Sequence, residues 1–210
     1  MKFFSVIMFF LLVSVGLTAQ FPDLKMRYFN QKEGLSSTFV TSVVQDSVGY
    51  LWVGTSEGLN RFDGMNFTSY GSGDGLLPHQ SIETLMADSG GDVWVATAEG
   101  LVLYQAECDC FKEVVFEGKV AGEFAKIVQL DIDRAGTVYA AEGSKLYRYN
   151  SSRKMFEIFY TAKQGQITGF AFDRANMLWF TTAYPSSLIG YHIQSGREFI
   201  YRPDMGNIPE

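Results

Sequence analysis

Short apolar runs separated by turn residues recur along the chain after residue 38. These runs are rich in β-branched and aromatic residues, and Gly, Asp and Ser follow them, which is typical of strands and tight turns. No stretch after residue 19 has the apolar spacing of an amphipathic helix. The pattern therefore predicts antiparallel strands joined by short turns. The first set of runs covers residues 39–45, 50–55, 59–62 and 65–70, with turns at 46–49, 56–58 and 63–64.

One segment, residues 46–55, recurs at residues 88–97 with the same Asp-Ser start, the same Gly and the same Trp. Weaker copies begin at Asp133 and Asp173, so the period is 40 to 45 residues. Four strands in a unit of this length are typical of the blades of a β-propeller. The sequence therefore predicts an all-β fold of about four blades, each a four-stranded antiparallel sheet.

The repeated residues have architectural roles in such a blade. The Asp carboxylate can accept hydrogen bonds from backbone N–H groups two or three residues later, and the Gly permits a positive φ angle. The aromatic side chain fills the space between neighbouring blades, because each blade is covered on both faces. We assign these structural roles to Asp46, Gly49, Trp52, Asp88, Gly91, Trp94, Asp133, Gly136, Tyr139, Asp173 and Trp179.

The repeats also predict where each blade begins and ends. Residues 28–35 align with residues 69–76, so residues 20–38 are predicted to be the outer strand of a closing blade and a linker. The other strands of that blade would follow residue 210. The predicted blades are residues 39–74, 75–118, 119–162 and 163–204, and residues 205–210 would begin the next linker.

Several of these motifs resemble a known family. The carriers are Gly34-Leu35-Ser36-Ser37, Leu51-Trp52-Val53-Gly54-Thr55, the segment 58–64 and Gly75-Leu76. They are similar to the two-component regulator propeller repeats in the sensor regions of hybrid histidine kinases of Bacteroidetes. The later units depart from the pattern, because Tyr139 replaces Trp and Asn176 replaces Gly.

This resemblance implies that the chain is the N-terminal part of a longer sensor. Family members have two consecutive seven-bladed propellers, a small β-sandwich, one membrane helix and kinase domains. The resemblance thus implies an incomplete part of a seven-bladed ring that senses an extracytoplasmic ligand, with glycan fragments as the ligand class. It implies downstream propeller, sandwich and kinase domains as partners, while any kinase activity would lie outside this chain.

The N-terminus has the pattern of an export signal. Lys2 precedes a nearly unbroken apolar run, and residues 17–19 end in Ala, so a signal peptide is predicted at residues 1–19. An uncleaved anchor is the alternative, although the run is shorter than the roughly 20 residues of a spanning helix. The formal charge of -6, without clustered Lys and Arg, argues against nucleic acid as a partner. We therefore expect a periplasmic location, with the full-length protein anchored in the inner membrane.

The two cysteines, Cys108 and Cys110, are separated by one residue. Export permits a disulfide. A bond between such close residues needs a small strained ring, so free or strained thiols at a hairpin tip are the expected state. Two thiolates alone do not complete a zinc site.

The sequence contains no convincing catalytic motif. Residues 54–58 match the G-x-S-x-G element of serine hydrolases, but Ser56 lies between two predicted strands, and Ala98 occupies its place in the next copy. Only His79 and His192 could serve as a general base. We expect no enzyme activity, cofactor or metal. A propeller lyase or hydrolase remains an alternative, and it would need His and acidic residues clustered near the ring axis.

Strand direction divides the turns between the two ends of the propeller. The turns after the second and fourth strands of each unit vary most between units, as expected of recognition loops on a fixed scaffold. We therefore predict ligand contacts there, and the candidates are His79, Gln80, Glu99 and Tyr184. The alternative is a structural or protein-binding propeller without a small ligand, which would support a homodimer of sensors.

Overall fold

The computed structural model describes residues 26–71, 73, 75–120, 123 and 125–202. The export signal predicted at residues 1–19 and the linker predicted at residues 205–210 lie outside the described residues. The described residues form strands β1 to β17 and one short 3-10 helix, Gln31–Glu33, and none of their segments is an α-helix.

The strands form four separate sheets in chain order. Sheet 1 contains β1 (Val40–Gln45), β2 (Leu51–Thr55), β3 (Gly58–Phe62) and β4 (Phe67–Tyr70). Sheet 2 contains β5 (Ile82–Ala87), β6 (Val93–Thr97), β7 (Gly100–Gln105) and β8 (Cys110–Glu113). The short strand β9 (Val115–Phe116) follows. Sheet 3 contains β10 (Gln129–Ile132), β11 (Val138–Glu142), β12 (Lys145–Asn150) and β13 (Met155–Thr161). Sheet 4 contains β14 (Gln166–Phe172), β15 (Met177–Ala183), β16 (Ser187–His192) and β17 (Arg197–Tyr201).

Within each sheet, consecutive strands pair antiparallel, so every sheet is a meander. The first strands β1, β5, β10 and β14 lie side by side along the inner edge of the array. The prediction of an all-β propeller with four-stranded antiparallel blades is confirmed, and the four described blades do not close into a ring. The exact blade boundaries stay predictions, as does the role of residues 20–38. Residues 26–38 contribute no strand to the described sheets.

Sheet 3 has one strand that the sequence did not predict. β9 leaves sheet 2 and pairs in parallel with β13, the outer strand of sheet 3, with Val115 opposite Met155 and Phe116 opposite Phe156. The run is only two residues long and carries no alternation, so its pairing depends on the neighbouring sheet and not on its own pattern. It ties adjacent blades together at their outer edge.

Each blade has a similar hydrogen-bonded turn between its first and second strands. In sheet 1, Oδ1 of Asp46 accepts hydrogen bonds from the backbone N–H groups of Val48, Gly49 and Tyr50 at 2.9–3.0 Å. Gly49 has a φ of 105°, which lies in the left-handed region that favours glycine. In sheet 4 the equivalent residue is Asn176, with a φ of 60°. Asn enters this region more readily than most residues, so the turn survives the substitution.

The second carboxylate oxygen binds the aromatic residue of the repeat. Trp52, Trp94 and Trp179 each donate their indole N–H to Oδ2 of the Asp six positions earlier, at 2.8, 3.0 and 2.9 Å. In sheet 3 the Tyr139 hydroxyl lies 3.5 Å from Oδ2 of Asp133. One carboxylate therefore fixes both the turn and the orientation of the ring that packs between blades.

Apolar clusters lie between neighbouring sheets. Trp52 packs with residues of sheet 2, Trp94 with residues of sheet 3, and Tyr139 with residues of sheet 4. These three rings are almost fully buried, whereas Trp179 on the last sheet is only half-buried and stacks beside Tyr201. Burial of these rings stabilises the array chiefly by removing apolar surface from water.

Sheet 1, at the start of the array, also has an apolar surface that no other described sheet covers. Equivalent positions on the first strands are Val43, Leu85, Leu130 and Phe170, and their exposed fractions are 54%, 6%, 8% and 4%. The preceding sheet covers the last three, while sheet 1 has no preceding sheet among the described residues. The outward faces of sheets 1 and 4, which we call the end faces, thus expose apolar side chains whose equivalents are buried between the other sheets.

Candidate functional site

The turns of the four sheets emerge at two ends because successive strands run in opposite directions. We call the end that carries the turns after second and fourth strands the loop face; it contains residues 56–57, 71, 73, 75–81, 98–99, 143–144 and 184–186. The other end, the turn face, carries the Asp turns and the hairpins between third and fourth strands; it contains residues 46–50, 63–66, 88–92, 106–109, 133–137, 151–154, 173–176 and 192–196.

Three of the four predicted ligand residues lie near one another on the loop face. His79 and Gln80 precede β5, and Glu99 lies in the turn between β6 and β7. The backbone N–H of Ala98 donates to the carbonyl of Ser81, which brings these two segments together. The imidazole Nδ1 of His79 accepts a hydrogen bond from the backbone N–H of Ser81 at 3.0 Å, so this ring nitrogen already has a partner within the protein.

Tyr184 lies apart from these three residues. It occupies the turn between β15 and β16 in sheet 4, its side chain is 95% exposed, and sheet 3 separates it from sheet 2. A ring this exposed is available to stack on a ligand. The structure therefore divides the predicted residues between two neighbourhoods of the same face.

Two small grooves open on the loop face. One, of about 210 Å³, is lined by Pro78, Leu101 and Phe116 together with Lys119 and Glu123. The other, of about 140 Å³, lies between sheets 3 and 4. There Glu198 accepts hydrogen bonds from the Tyr160 hydroxyl and from Nζ of Lys163, both at 3.1 Å. Burial and the Glu198 carboxylate raise the pKa of Tyr160 to about 12, so its hydroxyl stays a hydrogen-bond donor.

A larger groove, of about 570 Å³, opens on the turn face between sheets 2 and 3. Its floor contains Trp94 and Tyr149, whose rings pack edge to face with centroids 4.7 Å apart. Its rim carries Gln105, Lys112 and Lys154. Sequence reasoning did not find this groove, because it arises from the spacing between two sheets and not from any motif.

Ser56 lies in a hairpin between two strands, whereas the nucleophile of a serine hydrolase with the G-x-S-x-G element lies on a turn from a strand to a helix. The Ser56 hydroxyl lies 3.2 Å from the hydroxyl of Ser37, in the hairpin between β2 and β3. His192 lies on the turn face, where its Nδ1 is 3.0 Å from the Ser195 hydroxyl. Across the described ranges, no group of three or more His, Cys, Asp and Glu side chains could hold a metal ion.

The cysteines differ from the sequence expectation. Cys108 and Cys110 form a disulfide across the turn between β7 and β8, with their Cα atoms 5.2 Å apart. The expectation of free or strained thiols assumed that alternate positions lie too far apart. Asp109 between them has a φ of 49°, and this left-handed conformation curls the turn and brings the two side chains within bonding distance.

The four-stranded meanders, the Asp turns and the rings between sheets define this part of the chain as a series of β-propeller blades. The model of the family "Two component regulator propeller" matches residues 34–57. The resemblance identified from the sequence is therefore confirmed: the chain carries a two-component regulator propeller repeat.

A curated relative is "Histidine kinase P4" of Formosa agariphila, which is 45% identical to this chain over 67 residues. The match spans 32% of this chain and 5% of the kinase. The chain thus covers only a small part of that relative's length.

Solved structures share the fold. The extracellular domain of a putative hybrid two component system from B. thetaiotaomicron has a TM-score of 0.64 and 22% identity, over 85% of this chain and 24% of that chain. A second such domain from the same organism has a TM-score of 0.69 and 20% identity, over 81% and 23%. Virginiamycin B lyase from Staphylococcus aureus has a TM-score of 0.62 and 14% identity, over 80% and 57%. At these identities the likeness shows the propeller fold alone.

No helix within the described ranges is long and apolar enough to cross a bilayer.

Proposed function

We propose that this chain is the N-terminal part of an extracytoplasmic sensor propeller in a two-component system. The regulator propeller repeat at residues 34–57 and the histidine kinase relative support this assignment. The kinase that receives the signal lies outside this chain, and the export signal predicted at residues 1–19 supports a periplasmic location with an inner-membrane anchor beyond the chain.

The end faces support the proposal that these blades belong to a larger ring. Val43 and Leu51 are 54% and 37% exposed, whereas the equivalent Leu85 and Val93 of sheet 2 are almost fully buried. Exposed apolar surface of this kind is normally covered by a neighbouring element. Further blades, to the seven that the family resemblance implies, would cover both ends.

The ligand class that we propose is a glycan fragment bound on the loop face. His79, Gln80 and Glu99 offer hydrogen-bonding groups close together, and Tyr184 offers an exposed ring. An oligosaccharide that spans both neighbourhoods would use both kinds of contact, because hydroxyl groups need directional partners while the C–H face of the ring packs on aromatic surface.

Calorimetry of the whole extracytoplasmic region against a panel of oligosaccharides tests this proposal. We expect at least one oligosaccharide to bind, and Gln80→Ala or Tyr184→Ala to weaken it several-fold. Ser152→Ala is the matched control, because this exposed residue lies on the turn face. Silence across the panel would contradict glycan sensing.

A structural role in sensor dimers is the second candidate function. The exposed Val43 and Leu51 of sheet 1, with Phe199 and Ile200 of sheet 4, favour it because they offer apolar area for self-association. Sedimentation of the whole extracytoplasmic region, with and without oligosaccharide, separates the two functions. A dimer that forms without ligand and weakens when these residues become polar would support the structural role.

A further inference from the structure

Arg61 of sheet 1 reaches across to sheet 2 and ends at Asp109. Its Nη1 donates to Oδ1 of Asp109 at 2.8 Å and to the Tyr104 hydroxyl at 2.8 Å. The Tyr104 hydroxyl in turn donates to the same Oδ1 at 2.6 Å. Within the described part of the chain, Asp109 is the only carboxylate that pairs with Arg61. One carboxylate oxygen thus accepts hydrogen bonds from both residues, and with the Tyr104 hydroxyl it joins Arg61 of sheet 1 to sheet 2 at the turn face.

The guanidinium of Arg61 also lies among aromatic rings from both sheets. Its Cζ lies 5.1 Å from the Tyr50 ring centroid, 5.6 Å from that of Trp52 and 5.9 Å from that of Tyr104. A cation over ring faces is attracted to them electrostatically, and more strongly where water is partly excluded. The Arg61 side chain is 19% exposed, so the carboxylate that holds it in place affects the packing between the sheets.

The position of Asp109 depends on the disulfide. Asp109 is the sole residue between Cys108 and Cys110, so the bond closes a ring that contains its whole backbone. Its φ of 49° is uncommon for a residue other than glycine. Opening the ring would free this backbone to return to commoner angles, which would move the carboxylate away from Arg61 and Tyr104.

The disulfide is accessible to solvent. Cys108 is exposed and Cys110 is half-buried at the tip of the hairpin between β7 and β8. Exchange requires that a thiolate approach one of the two sulfur atoms, and exposed disulfides are the ones that exchange readily. Cys108 is the more exposed of the two residues, so we take its sulfur as the one that an incoming thiolate attacks.

We propose that Cys108 and Cys110 form a thiol–disulfide exchange site for an external dithiol, and that their oxidation state sets the strength of the contact between sheets 1 and 2 through Asp109. A thiolate of the dithiol attacks Sγ of Cys108, the bond between the cysteines breaks, and Cys110 leaves as a thiolate that takes up a proton. The second thiol of the reagent then attacks the mixed disulfide and releases Cys108. Two electrons pass to the protein, and the dithiol leaves as a disulfide.

The test uses the full chain, purified without reductant, with dithiothreitol as the dithiol. Free thiols are counted with a thiol-reactive chromophore, and the unfolding midpoint is measured by circular dichroism. We expect no free thiol before reduction and two after it, with a midpoint about 3 °C lower in the reduced protein. Free thiols before reduction, or an unchanged midpoint after it, would overturn the proposal.

Two variants distinguish the effect of the contact between Arg61 and Asp109 on the midpoint from the effect of the disulfide itself. In Arg61→Met and in Asp109→Asn we expect a lower midpoint in the oxidised state and a response to dithiothreitol of less than about 1 °C. Asp109→Asn changes only an exposed side chain, so it should fold even if Arg61→Met does not. The matched control is Arg153→Met, which breaks the exposed ion pair with Glu157 in sheet 3 and should keep the full response. An undiminished response in Asp109→Asn would overturn the coupling.

Discussion

The indole N–H of Trp52 donates a hydrogen bond of 2.8 Å to Oδ2 of Asp46, and both residues are almost fully buried. The same carboxylate holds three backbone N–H groups with its other oxygen. A local turn is thereby joined to the packing between two blades. Sheets 2 and 4 repeat this use of one carboxylate for both tasks with Trp94 and Trp179, and Tyr139 takes the place of Trp in sheet 3.

Asp46→Ala should strongly destabilise the protein. It removes the acceptor of four hydrogen bonds and leaves the buried indole N–H of Trp52 without its partner, so we expect a loss of about 3 kcal/mol in the free energy of unfolding. Urea denaturation of the purified chain measures it.

Asp173→Ala is the matched comparison for Asp46→Ala. The Asp173 carboxylate accepts the Trp179 indole N–H and two backbone N–H groups, one fewer than Asp46, at an exposed site where water can replace the carboxylate. We expect a loss of about 1 kcal/mol there. Equal losses at the two sites would contradict the role assigned to burial.

The proposal that further blades cover sheet 1 predicts a difference between this chain and a longer protein. Val43→Asp should change the unfolding free energy of this chain by less than about 0.5 kcal/mol, because more than half of the residue is already exposed to water. Leu85→Asp, at the equivalent buried position, should prevent folding or cost more than about 4 kcal/mol. The same pair of variants is then measured in the longer protein by thermal unfolding.

In the longer protein we expect Val43→Asp to become as harmful as Leu85→Asp, because another blade would cover sheet 1. Continued tolerance of Val43→Asp in that protein would show that no blade packs on this face.

Gly54 allows sheets 1 and 2 to approach closely. A Cβ at this position would lie 2.6 Å from Cγ2 of Ile82, which is fully buried and branched at Cβ, and so cannot move aside easily. We expect Gly54→Ala to lower the unfolding free energy by about 1–3 kcal/mol. Gly73→Ala, in a loop where a Cβ meets nothing within 4 Å, is the control and should be neutral. Chemical denaturation of both variants decides the comparison.

The stability of the Arg61 contact should depend on pH. Hydrogen bonds from Tyr104 and then Arg61 hold the pKa of Asp109 below its ordinary value, which is near 3.9. Because the folded state has the lower pKa, the ionised Asp109 stabilises the fold above about pH 4, and this contribution is lost as pH falls through the depressed pKa.

Urea midpoints between pH 7 and pH 2.5 test this dependence. The advantage of the wild type over Asp109→Asn should be present at pH 7 and shrink below about pH 4. Glu113→Gln, an exposed carboxylate in the strand that follows the same turn, should give a curve parallel to the wild type. A constant difference between wild type and Asp109→Asn at every pH would refute the role of the charge.

The sequence predicted the elements whose interactions are local. Asp46, Gly49 and Trp52 lie within seven residues of one another, so their spacing alone indicates the turn and the strand that follows. The repeat then extends this prediction to the other blades. The contact between Arg61 and Asp109 could not be predicted, because it joins residues 48 positions apart and depends on how closely two sheets pack.

For the candidate ligand residues, the sequence could predict that they share one face of the array but not which of them lie close together. Chain direction placed His79, Glu99 and Tyr184 at the same end of the array, but nothing in the sequence gave the distance between sheets 2 and 4. The groove above Trp94 and Tyr149 was missed for the same reason, since its walls come from two separate sheets. Loop conformation and spacing between sheets are set by tertiary packing, which no single motif encodes.

The parallel pairing of β9 with β13 bears on how the chain folds during synthesis. Val115 and Phe116 leave the ribosome first, and their partners Met155 and Phe156 follow 40 residues later. At about 5–20 residues per second, this strand waits roughly 2–8 s with its backbone unpaired. Sheets 1 and 2 can settle against each other in that interval, while the trailing edge of sheet 2 stays open. The rate of translation across residues 117–155 therefore sets how long a nascent chain offers this edge to other chains.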